Sequence, residues 1–271
     1  MNASIYLSIY LSIYLSIYLI AFRQPTLLYA MYQTMLTIYL MFLSIYSGFA
    51  SKHGVKVFIY FTYWTLYLSS LYHLLKTYHT WLFLYKYRDN KEKRPTELTT
   101  GIKIQWVLFN ITSNGGIIVA ILFWLVLYHP GKTIDFLGFN THGVLAIIIL
   151  TDMFISAMPV RLLHAWMGSV YATLFSIFCL LYWQAGGTNT KHKPYIYPIM
   201  DFSKNSGTAV LCIFVLVFLT GPLLHTALYG LYCLRRTIYN KAARQKNSNT
   251  PHNTIMCEEC ELQSKEPISA V

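Results

Sequence analysis

Asn140 to Trp166 reads NTHGVLAIIILTDMFISAMPVRLLHAW. An apolar run is interrupted by a single carboxylate, Asp152, and closed by Pro159. A second apolar run opens after Arg161 and His164. Proline disfavours helix in the residue before it and supplies no N–H. The stretch therefore predicts two membrane crossings with a short connection between them. Downstream, QAGGTNTKHKPYIYPIMDFS (184–203) supplies a Gly-Gly turn and a Tyr-Ile-Tyr-Pro segment before another apolar run.

Composition agrees with a membrane fold. Of 271 residues 55% are hydrophobic and 11% charged, whereas soluble domains carry about 25% charged residues. The net charge of +11 does not indicate nucleic acid, because Lys and Arg collect between the apolar runs as topology signals do. A nucleic-acid surface would place them in a stripe on a folded face. Cys179 and Cys212 fall in apolar runs, and Cys233 stands beside Arg235-Arg236 at a helix end, a setting compatible with acylation. Cys257 and Cys260 form one CxxC pair, which is half of a four-ligand zinc site. No metal and no cofactor is expected.

The expected fold is an all-α membrane protein, a bundle of six transmembrane helices near 26–49, 57–78, 104–128, 141–158, 163–183 and 208–234. Residues 1–25 contain four Ser-Ile-Tyr-Leu copies. A repeated tetranucleotide translates into this cycle, so the segment is set aside as a gene-model artefact that would add one more hydrophobic segment if translated. Residues 26–236 form the membrane domain, and 237–271 are expected to be a polar, disordered cytoplasmic tail. Arg23, Lys76, the 86–103 loop, Arg161 and the tail put fifteen Lys/Arg on one side against six on the other. The positive-inside bias then places both termini in the cytoplasm of a plasma-membrane or endoplasmic-reticulum protein.

Polar residues within the spans nominate the chemistry. Thr62, Thr65, Ser69, Tyr72, His73 and Lys76 share one helical face, which would turn to the bundle interior. Thr62 lies about 9 Å along its helix from Lys56. His142 begins a span entering from the same side, so the two sit at similar depth. A hydroxyl nucleophile needs a base such as imidazole within reach. Asp152 is about 15 Å from His142 along the helix, too far for direct contact. Its expected partner is Asn114, a Ser/Thr hydroxyl on the second or third span, or a proton. Arg161 and His164 read as topology anchors that meet lipid headgroups.

The order Asn-Thr-His-Gly (140–143), Asp-Met-Phe-Ile-Ser-Ala-Met-Pro-Val-Arg-Leu-Leu-His (152–164), Ala-Gly-Gly-Thr-Asn (185–189) and Tyr-Ile-Tyr-Pro-Ile-Met-Asp-Phe-Ser-Lys (195–204) resembles the Rolling stone family of multi-pass membrane proteins. The likeness extends from about Thr26 to Arg236. It implies a role in cell–cell interaction or myoblast-type fusion. The Rolling stone pattern is in turn distantly similar to the androgen-induced hydrolases, which cleave fatty acid esters of hydroxy fatty acids with a threonine and a histidine. That second resemblance implies Thr62, or Thr65 one turn below it, as nucleophile and His142 as base. It also matches Tyr197-Pro-Ile-Met-Asp201, making Asp201 a further polar candidate. The partners implied are the lipid bilayer and a fatty-acyl ester substrate. A lipid ester hydrolase and a non-enzymatic fusion protein both remain open.

Overall fold

The structure, a computed structural model, describes residues 25–50, 54–88, 99–129, 131, 133–156 and 158–248. The Ser-Ile-Tyr-Leu repeat, most of the 86–103 loop and the Cys257–Cys260 pair lie outside the described residues. Six long helical elements follow one another, with no strand among the described residues. They are α1 (Leu27–Ala50), α2 (Phe61–Leu82), α3 (Thr100–Leu127), α4 (Phe136–Ile155), α5 (Leu162–Gln184) and α6. The last comprises Ser206–Phe214, Val215–Thr220 and Gly221–Ser248.

Five of the six, all but α2, are long and apolar enough to cross a membrane. Their outer faces carry Leu28, Met35, Phe42, Leu125 and Leu223 exposed. Such apolar surface on helices of this length is suited to lipid, where only internally hydrogen-bonded backbone is tolerated. The protein is an integral membrane protein.

The exception, α2, has 22 residues, about 33 Å of helix, and packs between α1 and α3. It falls short in hydropathy because its buried face is polar. Thr62, Thr65, Ser69, Ser70, His73, Lys76 and Thr80 are all buried. Hydroxyls tie it to α1. Ser44 and Ser70 lie 2.7 Å apart, Thr37 and Thr77 2.8 Å, and the Ser70 hydroxyl donates to the Leu40 carbonyl at 3.1 Å. In lipid, where apolar burial gains little, small polar contacts of this kind hold helices together.

Close approach on the other flank of α2 needs glycine. A Cβ on Gly115 would meet Tyr171 at 3.0 Å and the Thr65 hydroxyl at 3.1 Å, and one on Gly168 would meet Asn114 at 3.2 Å. At the opposite end of α5, Gly186 adopts φ +76°, which permits the turn into residues 187–205. Lys56 holds this loop down by donating to the Thr188 carbonyl at 2.7 Å and the Asn189 carbonyl at 3.0 Å.

Two helix ends differ from expectation. The second span continues as a wider turn, Phe83–Tyr87, and the last helix runs to Ser248 instead of stopping near residue 234. Arg235, at the end of the 26–236 membrane domain, is part of the bundle and not a surface topology charge. It is buried, donating to the carbonyls of Met153, Ser156 and Met158 and so capping the C-terminal end of α4.

Gly115→Val is expected to overpack the α2–α3–α5 junction and cost about 1–3 kcal/mol. The effect would be read as a lower unfolding midpoint in detergent. An unchanged midpoint would show that this contact is not tight.

Candidate functional site

Thr62 and His142 line one cavity of about 690 Å³. Thr62 is the second residue of α2. In that first turn backbone N–H groups have no intrahelical acceptor, and the Phe61 amide donates to the Tyr197 phenol at 3.1 Å. The same phenol is hydrogen-bonded with the Thr62 side chain, and burial pushes its pKa well above the ordinary value, so it stays protonated. Tyr197 also packs edge-on against Tyr60, with ring centroids 5.9 Å apart. The Tyr-Ile-Tyr-Pro segment thus clamps the start of α2.

His142 comes from a widened turn, Asn140–Val144, within α4. Such π segments are rare and recur at functional sites. A second one, Phe123–Leu127 of α3, forms the facing wall. Phe123 stacks flat on the His142 ring at 3.8 Å and 3°. Trp124 Nε1 donates to the His142 carbonyl at 3.1 Å. Asn140 steadies the turn from outside the cavity by accepting from Tyr39 and donating to the Phe136 carbonyl. The imidazole Nδ1 is buried without a hydrogen-bond partner. A hydroxyl, an imidazole with an unused nitrogen and a mainly apolar wall make a site that can hold and attack an apolar carbonyl compound.

The other nominated residues go elsewhere. Thr65 donates to the Phe61 carbonyl at 3.0 Å and meets the Tyr171 hydroxyl at 3.1 Å, fully buried between helices. Asp201 accepts from the Ser203 and Lys204 amides at 3.0 and 3.1 Å, holding the turn that leads into α6. Neither lines the cavity. Asn114 donates to the Asn110 carbonyl at 2.8 Å and to His225 Nδ1 at 3.0 Å.

Asp152 does not meet Asn114, a Ser/Thr hydroxyl or a lone proton as expected. It forms an ion pair with Lys76, with both side chains almost completely buried. Tyr72 donates to its second oxygen at 2.7 Å, and Gln33 of α1 reaches it at 3.5 Å and His73 Nδ1 at 3.4 Å. Helix geometry explains the pairing. From the cavity level Lys76 lies fourteen residues down α2, about 21 Å, and Asp152 ten down α4, about 15 Å. Side chains lean toward the helix N-terminus, so a lysine stem closes that gap. Lys76 is therefore a core residue and not one of the topology charges that the sequence suggests. Arg161 and His164 sit at the far end of the bundle, around Trp106.

The profile of the family described as Protein rolling stone matches residues 8–255. The chain belongs to the Rolling stone family. It is 30% identical to Protein rolling stone of Drosophila melanogaster over 195 residues, covering 69% of this chain and 70% of that protein. No solved structure matches. This Rolling stone family chain thus presents a membrane bundle with a buried ion pair and a separate cavity about four helical turns away.

Removing one partner of the ion pair leaves a buried charge. Lys76→Met is expected to cost about 3–5 kcal/mol, read as lost folded yield or a lower midpoint in detergent. Lys76→Met combined with Asp152→Leu recovers most of it. A double variant as unstable as the single one would show that the pair is not an electrostatic unit.

Proposed function

We propose that the protein is a membrane lipid ester hydrolase in which Thr62 is the nucleophile and His142 the base. The observation that carries this reading is that both side chains line the same largely apolar cavity. In the proposed reaction the Thr62 oxygen bonds to the acyl carbon while its proton passes to the imidazole. The tetrahedral adduct then collapses, the alcohol leaves with that proton, and water attacks the acyl-threonine to release the fatty acid and restore the hydroxyl. The Thr62 amide, in the first turn of α2, supplies a donor for the developing oxyanion. The substrate class is that of the androgen-induced hydrolases the sequence resembles, fatty acid esters of hydroxy fatty acids. With both termini cytoplasmic, the cavity opens on the exoplasmic or lumenal side, where Thr62 and the loop at 185–205 lie together.

Purified protein in detergent is expected to hydrolyse such an ester, and His142→Ala to slow it by about 10²–10⁴-fold. Thr62→Ala abolishes acyl-enzyme formation, whereas Thr65→Ala keeps the cavity intact. Equal rates for wild type and Thr62→Ala would exclude the assignment.

A role in cell–cell interaction or fusion is a second reading. It is favoured by the outer loop, where Lys191, His192 and Lys193 are exposed on a turn pinned by the Asn189 side chain. Lys191→Glu with Lys193→Glu is then expected to reduce fusion between expressing cells while Thr62→Ala leaves it unchanged. The opposite pattern would tie any fusion role to the cavity.

A further inference from the structure

The end of the bundle away from the cavity carries a second built cluster. Trp106 Nε1 donates to the Pro159 carbonyl at 2.9 Å, fixing the indole in place. The Arg161 guanidinium lies over that indole, 5.1 Å from the ring centroid. The His164 ring meets it edge-on at 4.6 Å. Behind them His225 Nδ1 accepts from Asn114 Nδ2, so its Nε2 carries the proton donated to the Arg161 carbonyl at 2.7 Å. The Arg161 backbone is thereby held from inside the bundle while its side chain lies across Trp106. This is a cation placed by contacts with three helices, α3, α5 and α6, not a side chain left loose at a helix end.

One polar atom in the cluster has no use in the fold. His164 Nδ1 is buried without a hydrogen-bond partner, which is unfavourable unless something satisfies it. His164 also closes the 3₁₀ turn Leu162–His164 that leads into α5, its own amide donating to the Arg161 carbonyl at 3.0 Å, and the helix that follows turns its positive end toward this side. Next to these donors the surface turns apolar. Leu163 and Trp166 are 65% and 58% exposed, and tryptophan in such a position favours the level of lipid headgroups. A guanidinium, an unpartnered imidazole nitrogen and a helix N-terminus beside a lipid-facing apolar strip match a phosphate that carries acyl chains.

We propose that Arg161 and His164 bind the phosphate of an anionic phospholipid whose acyl chains run along Leu163 and Trp166. The site is independent of the Thr62 cavity and of any hydrolytic activity there. A fixed guanidinium forks onto phosphate oxygens, and His164 Nδ1 donates beside it.

The test uses the full-length protein, delipidated in detergent and exposed to dioleoyl phosphatidic acid, dioleoyl phosphatidylcholine or inorganic phosphate. Retained lipid is read by native mass spectrometry and stabilisation by thermal unfolding. Wild type is expected to retain phosphatidic acid at least about fivefold better than phosphatidylcholine, the effect of one interfacial charge, and to melt later with it. Arg161→Gln loses this preference. Because Arg161 also packs on Trp106, His164→Phe serves as a second variant, keeping the edge-on ring while removing the donor, and it too lowers retention. Equal retention of both lipids by wild type, or undiminished preference in both variants, would overturn the proposal. Stabilisation by inorganic phosphate equal to that by phosphatidic acid would overturn the lipid assignment in favour of free phosphate.

Discussion

The buried pair between Lys76 and Asp152 is the constraint on which the arrangement of this bundle rests. Two charges inside a membrane domain are tolerated only when each answers the other and their remaining hydrogen-bonding capacity is used. Here Tyr72 and Gln33 supply the additional bonds, and Gln33 brings in His73. The network therefore draws on α1, α2 and α4 at one level. It fixes which face of α2 looks inward. It also accounts for a helix of spanning length that is too polar to read as a span by hydropathy.

The same lock has consequences about four turns away. Once α2 and α4 are held in register at Lys76 and Asp152, the positions of Thr62 and His142 follow, because each lies a set number of turns up its own helix. Local devices then finish the cavity. Tyr197 clamps the first turn of α2, and the widened turns at Phe123–Leu127 and Asn140–Val144 shape its wall. The fold thus separates two uses of buried polarity, one satisfied and structural, the other at the wall of an apolar cavity, where His142 Nδ1 is buried without a hydrogen-bond partner.

Much of this was legible in the sequence. The apolar runs and Pro159 gave the helices, and the stripe from Thr62 to Lys76 marked the inward face of α2. Equal depth for Thr62 and His142 followed from counting residues. The partner of Asp152 did not follow, although Lys76 stood on the same stripe, because a basic residue near a span end is also what a topology signal looks like. Only the offset between two helices, closed by the length of a lysine stem, distinguishes the two. The fates of Thr65 and Asp201 were equally hidden. One turn separates Thr62 from Thr65, but the approach of Tyr171 across Gly115 takes the second hydroxyl out of the cavity. Asp201 is consumed by two backbone amides that pattern alone does not reveal.

The central claim is that the Thr62 hydroxyl is the reactive group of the cavity it shares with His142. The most direct measurement is to treat the purified protein with a fluorophosphonate and locate the adduct by peptide mass spectrometry. The account predicts phosphonylation of Thr62, lost when His142 is replaced by alanine. An adduct confined to any other residue, or one on Thr62 that forms equally well without His142, would contradict it.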